Sequence, residues 1–365
     1  MPRQHDRGAG HTTHDEWTSV AATARRAFVA TAVALAVVVV AVALWELKVV
    51  LALVLFGFTI AAAMRPGIDR LDSWHVPRPV GVLIHYAAVL ALIALFLSFV
   101  VPTLTDQVQA ALHAAQTHHT GTGGGWKAKV LDEVARRLHH LPPAGDLVQP
   151  ALAVGEGAVK ILVGILFTFA VAAYWIFERD RTVDLVTSFL PRPRRKTVRD
   201  TWTLIDHKLG AFVRGELVLI AFVSTLATFA LALVGEPYWL LVGIATGILE
   251  VIPVVGPLAA LALAVGAGLT ASWHTAVLAG SVLLLIRLLE DYLVTPRVLG
   301  GAVGLSPLLT LVSVSVTAVL FGGFYVLLSV PLASLVATVF DVTVRGVDPT
   351  DVEVPTVIFP SQDTG

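Results

Sequence analysis

The chain has 365 residues, of which 56% are hydrophobic and 14% are charged, and its formal net charge is -1. Soluble domains carry about 25% charged residues, so this composition excludes an ordinary soluble protein and predicts an integral membrane protein. A near-neutral charge without a basic stripe gives no indication of nucleic-acid binding. The absence of cysteine excludes disulfides, thiolate nucleophiles and cysteine metal sites.

The N-terminal part of the chain predicts three membrane spans. Residues 1–24 are polar without periodicity and are expected to form a disordered cytoplasmic tail. The first apolar run, 27–44, follows Arg25 and Arg26 as in a signal peptide, but it is long and has no cleavage context. It is therefore interpreted as a retained span, followed by runs at 49–63 and 80–101.

A polar region, residues 102–150, separates these spans from the rest of the chain. Apolar residues recur every three to four positions between Val130 and Leu141, so we expect an amphipathic helix on or above the membrane. Five histidines fall in this region, and solvated loop histidines are favoured over a metal or pH-sensing cluster. They are His113, His118, His119, His139 and His140.

A fourth span, 151–177, precedes the most basic segment, residues 178–214. Lys160 in the span is interpreted as reaching the headgroups, with a substrate role as the alternative. The basic segment is expected in the cytoplasm. Its apolar stripe predicts a helix in the membrane interface with Lys208 toward water, and headgroup anchoring is favoured over nucleic-acid binding. The stripe comprises Val198, Trp202, Ile205, Leu209 and Phe212.

The next apolar run is a span at 217–234, and the run after it, 238–269, is too long for one ordinary span. Pro253, Gly256 and Pro257 interrupt it, so we predict a broken helix or a re-entrant hairpin. Irregular backbone at membrane depth persists only beside protein or a water-filled cavity, so a transport path is expected here. Glu250 is either a functional carboxylate or the partner of a structural arginine such as Arg287.

Charged residues also end the apolar helix that follows. Arg287, Glu290 and Asp291 are three to four positions apart, so one helical face can present all three. A local ion pair at the mouth of a span and a role in a transport path both remain open. The helix is predicted to break at Thr295-Pro296-Arg297. The region 305–340 is either one long span or a helical pair divided near Gly322-Gly323.

These patterns predict an all-α, polytopic transmembrane protein with broken or re-entrant helices and amphipathic interfacial helices. The charge bias places the N-terminal tail and the basic segment in the cytoplasm, and counting the later segments gives seven or eight spans. The expected segments are a tail (1–24), three spans (25–101), an extracytoplasmic region (102–150), a span (151–177), a basic cytoplasmic segment (178–214), a C-terminal transmembrane core (215–340) and a flexible cytoplasmic tail (341–365).

Two stretches, LEDYLVTPRVLGGAVGLSPLLTL at 289–311 and EVIPVVGPL at 250–258, resemble the signature of the autoinducer-2 exporter family of bacterial membrane proteins. The resemblance implies an exporter of a small polar solute such as a signalling molecule, located in the inner (cytoplasmic) membrane of a bacterium, and a homo-oligomer. It also favours eight spans with the C-terminus in the cytoplasm. No cofactor and no metal site are expected. The expected pathway residues are Glu250, Pro253, Gly256, Pro257, Arg287, Glu290, Asp291, Pro296 and Arg297.

Three other functions are open to the sequence. Because the family also includes members described as cation/proton antiporters, a sodium/proton antiporter is the main alternative, with a buried Glu250 as proton carrier. An intramembrane enzyme is not expected, since H-E-x-x-H and G-x-S-x-G motifs are absent. A scaffold acting through 102–150 is the third. No Walker motif is present, so transport would be ion-driven or passive.

Overall fold

The computed structural model describes residues 12–118, 148–253, 255–299 and 304–354. All regular structure in these ranges is helical, which confirms the predicted fold class. The helices are α1 (Thr12–Glu46), α2 (Lys48–Ser73), α3 (Arg78–His118), α4 (Val148–Ser188), α5 (Arg192–Leu233), α6 (Trp239–Leu249), α7 (Val255–Ala271), α8 (Trp273–Leu289), a π-helix (Glu290–Val294), α9 (Thr295–Val298), α10 (Pro307–Phe321), α11 (Gly323–Val326), α12 (Ser329–Thr343) and a 3₁₀ turn (Pro349–Asp351).

Some predictions fall outside the described residues. The amphipathic pattern between 130 and 141 lies there, as do the first eleven residues and the end of the C-terminal tail. Of the five histidines, His113 and His118 belong to α3, and the other three lie outside the described ranges.

The chain divides into two units, residues 1–53 and 54–365. The first unit contains α1, which begins at Thr12, so the prediction of a disordered tail up to residue 24 is wrong from that residue onward. The large apolar side chains of α1 from Phe28 to Trp45 are exposed, as suits a helix surrounded by lipid. Lys48 lies over the Trp45 ring at 4.1 Å, a cation–π contact typical of a membrane interface.

Long apolar helices make the protein a membrane-embedded, multi-pass protein. Among the described residues, five helices are long and apolar enough to cross a membrane, in place of the eight spans predicted. Four further apolar helices, α6, α7, α10 and α12, have only 11 to 17 residues. A 15-residue helix is about 22 Å long, shorter than a ~30 Å hydrocarbon core.

Helix α5 begins at Arg192, within the basic segment, and runs from there without interruption through the following apolar run. The prediction of an interfacial helix followed by a separate span is therefore wrong. The two glycines between the parts lie inside this helix, and each allows another segment to approach closely: Gly210 faces the Ala62 carbonyl, and Gly215 faces the Leu299 side chain. Lys208, predicted to face water, is buried and donates to Thr338 Oγ1 of α12 at 3.0 Å.

The core of the second unit is formed by α5, α6, α7 and α8. Small residues of α6 pack directly on α5: a Cβ on Gly243 would overlap Thr228, and one on Gly247 would overlap Ser224. On α7, by contrast, a Cβ on Gly266 would have no neighbour within 4 Å.

These glycines give a matched test of the packing. Gly243→Ala should destabilise the protein by about 1–3 kcal/mol, because the added methyl group forces α6 away from α5. Gly266→Ala should leave stability unchanged or raise it by about 0.5–1 kcal/mol, because alanine favours the helix and meets open space. Thermal unfolding in detergent measures both variants, and equal shifts would contradict this packing.

The chain is interrupted between α6 and α7, as predicted from its proline and glycine content. Leu249 ends α6, and α7 begins at Val255, with Pro253 in the turn between them. The Gly256 N–H donates to the Ile252 carbonyl at 2.8 Å. A Cβ on Gly256 would overlap the Leu249 carbonyl, so glycine is required for this turn to close.

The predicted break at Thr295-Pro296-Arg297 is wrong, because the helix continues there through a π-helical turn. The Thr295 N–H donates to the Glu290 carbonyl, five residues back. Pro296 then lies in the first turn of α9, where a missing N–H is tolerated.

The region 305–340 forms a helical pair, one of the two alternatives left open. Helix α10 ends before Gly322, whose φ of 97° lies in the left-handed region that favours glycine. Helix α12 begins at Ser329 and contains Pro331 in its first turn.

Candidate functional site

Four charged side chains meet where α6 ends and the π-helix begins. Arg287, on α8, contacts Glu250 Oε1 through Nη1 at 2.7 Å and Glu290 Oε2 at 3.2 Å. Its Nη2 contacts Asp291 Oδ1 at 2.8 Å. We call Glu250, Arg287, Glu290 and Asp291 the Arg287 cluster. Charge-assisted contacts of this length are among the stronger polar interactions in proteins.

The cluster combines buried carboxylates with a partly exposed guanidinium. The side chains of Glu250 and Glu290 are 9% and 4% exposed, against 35% for Arg287. In the described ranges Arg287 is the basic residue that pairs with both of them. Glu216, on α5, brings a further partly buried carboxylate close enough to interact with Glu250. The excess of acidic groups favours binding of a proton or a cation.

A cavity of ≈ 310 Å³ opens beside the cluster. Glu250, Arg287 and Glu290 form its polar part. The wall is largely apolar, with Thr246 of α6 and residues of α5, α7 and α8, among them Val223, Leu261 and Leu283. A concave, mainly apolar space with a few convergent polar groups is the usual form of a small-molecule site.

The structure brings together some predicted site residues and separates others. Glu250 pairs with Arg287, as the ion-pair alternative required, and the same pair lines the cavity. Pro257 also lines the cavity, whereas Pro253 and Gly256 shape the turn between α6 and α7.

Pro296 and Arg297 do not join the cluster. Both are exposed on α9, and Arg297 Nη1 donates to the Leu293 carbonyl of its own helix at 2.9 Å.

A second buried charged group was not found from the sequence. Arg179 of α4 donates through Nε to Asp206 Oδ2 of α5 at 2.7 Å, and their side chains are only 11% and 8% exposed. Arg179 also contacts Asp180 at 2.8 Å, and Arg65 of α2 lies 3.5 Å from Asp206. We call these four residues the Asp206 network. Its only sequence signal is an aspartate beside the predicted apolar stripe, in Leu204-Ile205-Asp206.

Comparisons with known proteins agree with this architecture. A family model described as "AI-2E family transporter" matches residues 33–345. YueF of Bacillus subtilis, which is named as a transport protein, is 24% identical over 75% of this chain and 79% of its own. A protein of Mycobacterium tuberculosis with the same kind of name is 24% identical over 83% of this chain and 86% of its own. The chain therefore belongs to the AI-2E transporter family and is a membrane transport protein.

Proposed function

We propose that this protein exports a small polar solute, such as a signalling molecule, across the bacterial cytoplasmic membrane. The observation that carries the proposal is the ≈ 310 Å³ cavity with Glu250, Arg287 and Glu290 at its wall. Pockets of about 300–1,000 Å³ hold small organic molecules. The export direction and a homo-oligomeric assembly rest on the family resemblance in the two signature stretches.

The chemistry of the cavity favours a solute with hydroxyl or carbonyl groups. Carboxylate oxygens of Glu250 and Glu290 accept hydrogen bonds from hydroxyl groups, and the Arg287 guanidinium donates to carbonyl or hydroxyl oxygens. The apolar wall along α7 and α8 supplies contact area without competing polar groups. The interrupted backbone between α6 and α7 lies next to this site, as in transporters built on discontinuous helices.

The energy source is constrained by the sequence. Without a Walker motif the chain does not hydrolyse ATP by that route, so the solute moves down its own gradient or with an ion. The Arg287 cluster contains three carboxylates and one guanidinium, so its net negative charge favours binding of a coupling proton or cation.

Flux in proteoliposomes tests the proposal. Purified protein is reconstituted with a pH-sensitive dye inside, and labelled autoinducer-2 or a sodium pulse is then applied outside. We expect movement of the labelled solute, reduced about tenfold or more by Glu250→Gln, because a charge-assisted contact to Arg287 is weakened. Glu178→Gln, at an exposed carboxylate, is the matched control and should leave flux unchanged.

Two outcomes would contradict the proposal. A sodium-triggered proton signal that Glu250→Gln removes, without movement of the solute, would make the protein a cation/proton antiporter. Solute flux that is equal in wild type and Glu250→Gln would remove the Arg287 cluster from the pathway and leave it as a structural ion pair.

A further inference from the structure

A buried carboxylate lies at the other end of α6 from Glu250. Glu236 belongs to the connection between α5 and α6, and it is only 1% exposed. Neither of its carboxyl oxygens has a hydrogen-bond partner in the part of the chain that the structure describes. Burying an ionised carboxylate without a partner is very costly, so such a group needs a neutralising ligand.

Tight packing against α7 and α8 encloses this carboxyl group. A Cβ on Gly268 of α7 would lie 3.0 Å from Glu236 Oε2 and 2.8 Å from the backbone nitrogen of Ala276 on α8. The Ala276 N–H is already used by the Ser272 carbonyl at 3.1 Å. The N–H of Glu236 itself donates to the Leu231 carbonyl at 3.0 Å. Both of these amides are therefore committed to the backbone and cannot bind the carboxylate.

Within the described residues, the four helices α5, α6, α7 and α8 offer Glu236 no buried counter-charge. Helices α6 and α7 contain no titratable side chain, and neither does the half of α5 from Leu217 to its end. On α8 the titratable residues are His274, which is exposed, and Arg287, which belongs to the cluster at the other end. Tyr238 is the other titratable residue of the connection. Burial is the cause that raises the pKa of Glu236 to about 7.

We propose that Glu236 is a proton-binding site that holds the connection between α5 and α6 closed while protonated and lets it open on ionisation. A proton fits this position better than a metal ion. Sodium or calcium requires several oxygen ligands, and among the described residues no group of three or more histidine, aspartate or glutamate side chains is placed to hold a metal ion. Once ionised, the carboxylate gains solvation only by leaving its enclosure.

The pH range over which opening depends on pH is set by the pKa of Glu236 in the closed form and its pKa in the open form. In the closed form the pKa of Glu236 is about 7, and in an open, solvated form it returns to the ordinary 4.5. Opening therefore releases a proton between these values and becomes more favourable by about tenfold per pH unit as the pH rises. Below the lower pKa both forms are protonated, and above the upper one both are ionised, so opening is then independent of pH.

Hydrogen exchange measures this opening. The full-length protein in detergent micelles, without solute, is followed through a peptide covering the connection, with correction for the intrinsic pH dependence of amide exchange. We expect the opening equilibrium constant to increase on the order of 100-fold from below the open-form pKa of 4.5 up to pH 7, and then to level off. Glu236→Gln, which keeps the shape without the charge, should show no such rise, and Glu353→Gln, at an exposed carboxylate, should behave as wild type.

Exchange in wild-type protein that is independent of pH would overturn the proposal, as would a rise that persists in Glu236→Gln. A rise that depends on sodium concentration at fixed pH would show a metal-ion site instead and would also overturn it. If the Glu236→Gln variant does not fold, the pH dependence of exchange in wild-type protein alone still tests the proposal, because pH-independent exchange would overturn it. Because no solute is present, the result is independent of the proposed export function.

Discussion

Arg287→Met should abolish transport and destabilise the protein by about 3–5 kcal/mol. The substitution leaves Glu250 and Glu290 buried without their basic partner, beside Asp291. Removing one member of a buried ion pair costs more than removing the pair, because the remaining charge stays desolvated. Flux of labelled autoinducer-2 in proteoliposomes and thermal unfolding in detergent measure the two effects.

Arg297→Met is the matched control, since Arg297 is exposed and contacts only a carbonyl of its own helix among the described residues. It should change neither property appreciably. The double variant Arg287→Met/Glu250→Gln should regain part of the stability, because one unpaired charge is neutralised, but not the flux. Wild-type stability of Arg287→Met alone would contradict the buried pairing.

Asp206→Leu should destabilise the protein by about 3–5 kcal/mol, because it removes the buried carboxylate that pairs with Arg179 and Arg65. Asp184→Leu is the matched control, since Asp184 pairs with Arg199 at the exposed surface. It should cost no more than about 1 kcal/mol, as exposed ion pairs do. Thermal unfolding measures both. Equal losses in the two variants would show that burial of the Asp206 network does not contribute to stability.

Local features of the sequence were sufficient to predict the interruption between α6 and α7. Pro253 and Pro257 lack the N–H that a continuous helix needs, and Gly256 tolerates a close turn, so the prediction rests on backbone chemistry alone. The spacing of Arg287, Glu290 and Asp291 likewise placed all three on one face, because positions three and four apart are neighbours on a helix.

Features that depend on other helices were missed or predicted wrongly. Lys208 is polar and was placed toward water, but α12 covers it, and Thr338 accepts its hydrogen bond. The π-helix at Glu290 admits Pro296 without a break, an outcome that proline content does not indicate. Burial of Asp206 and Glu236 likewise results from contacts with helices distant in sequence, which periodicity within one segment does not report.

The proposed export requires that the solute pass through the cavity beside the Arg287 cluster. The chain contains no cysteine, so single cysteines can be introduced without a background. Thr246 of α6 lines the cavity, and Ile248 on the same helix is exposed on the outer surface. Each is replaced by cysteine, treated with a membrane-impermeant methanethiosulfonate, and assayed for flux of labelled autoinducer-2. We predict that Thr246→Cys is labelled and loses flux, with protection by excess solute, while Ile248→Cys is unaffected. Labelling of Thr246→Cys that leaves flux unchanged, or no labelling there at all, would contradict passage of the solute through the cavity.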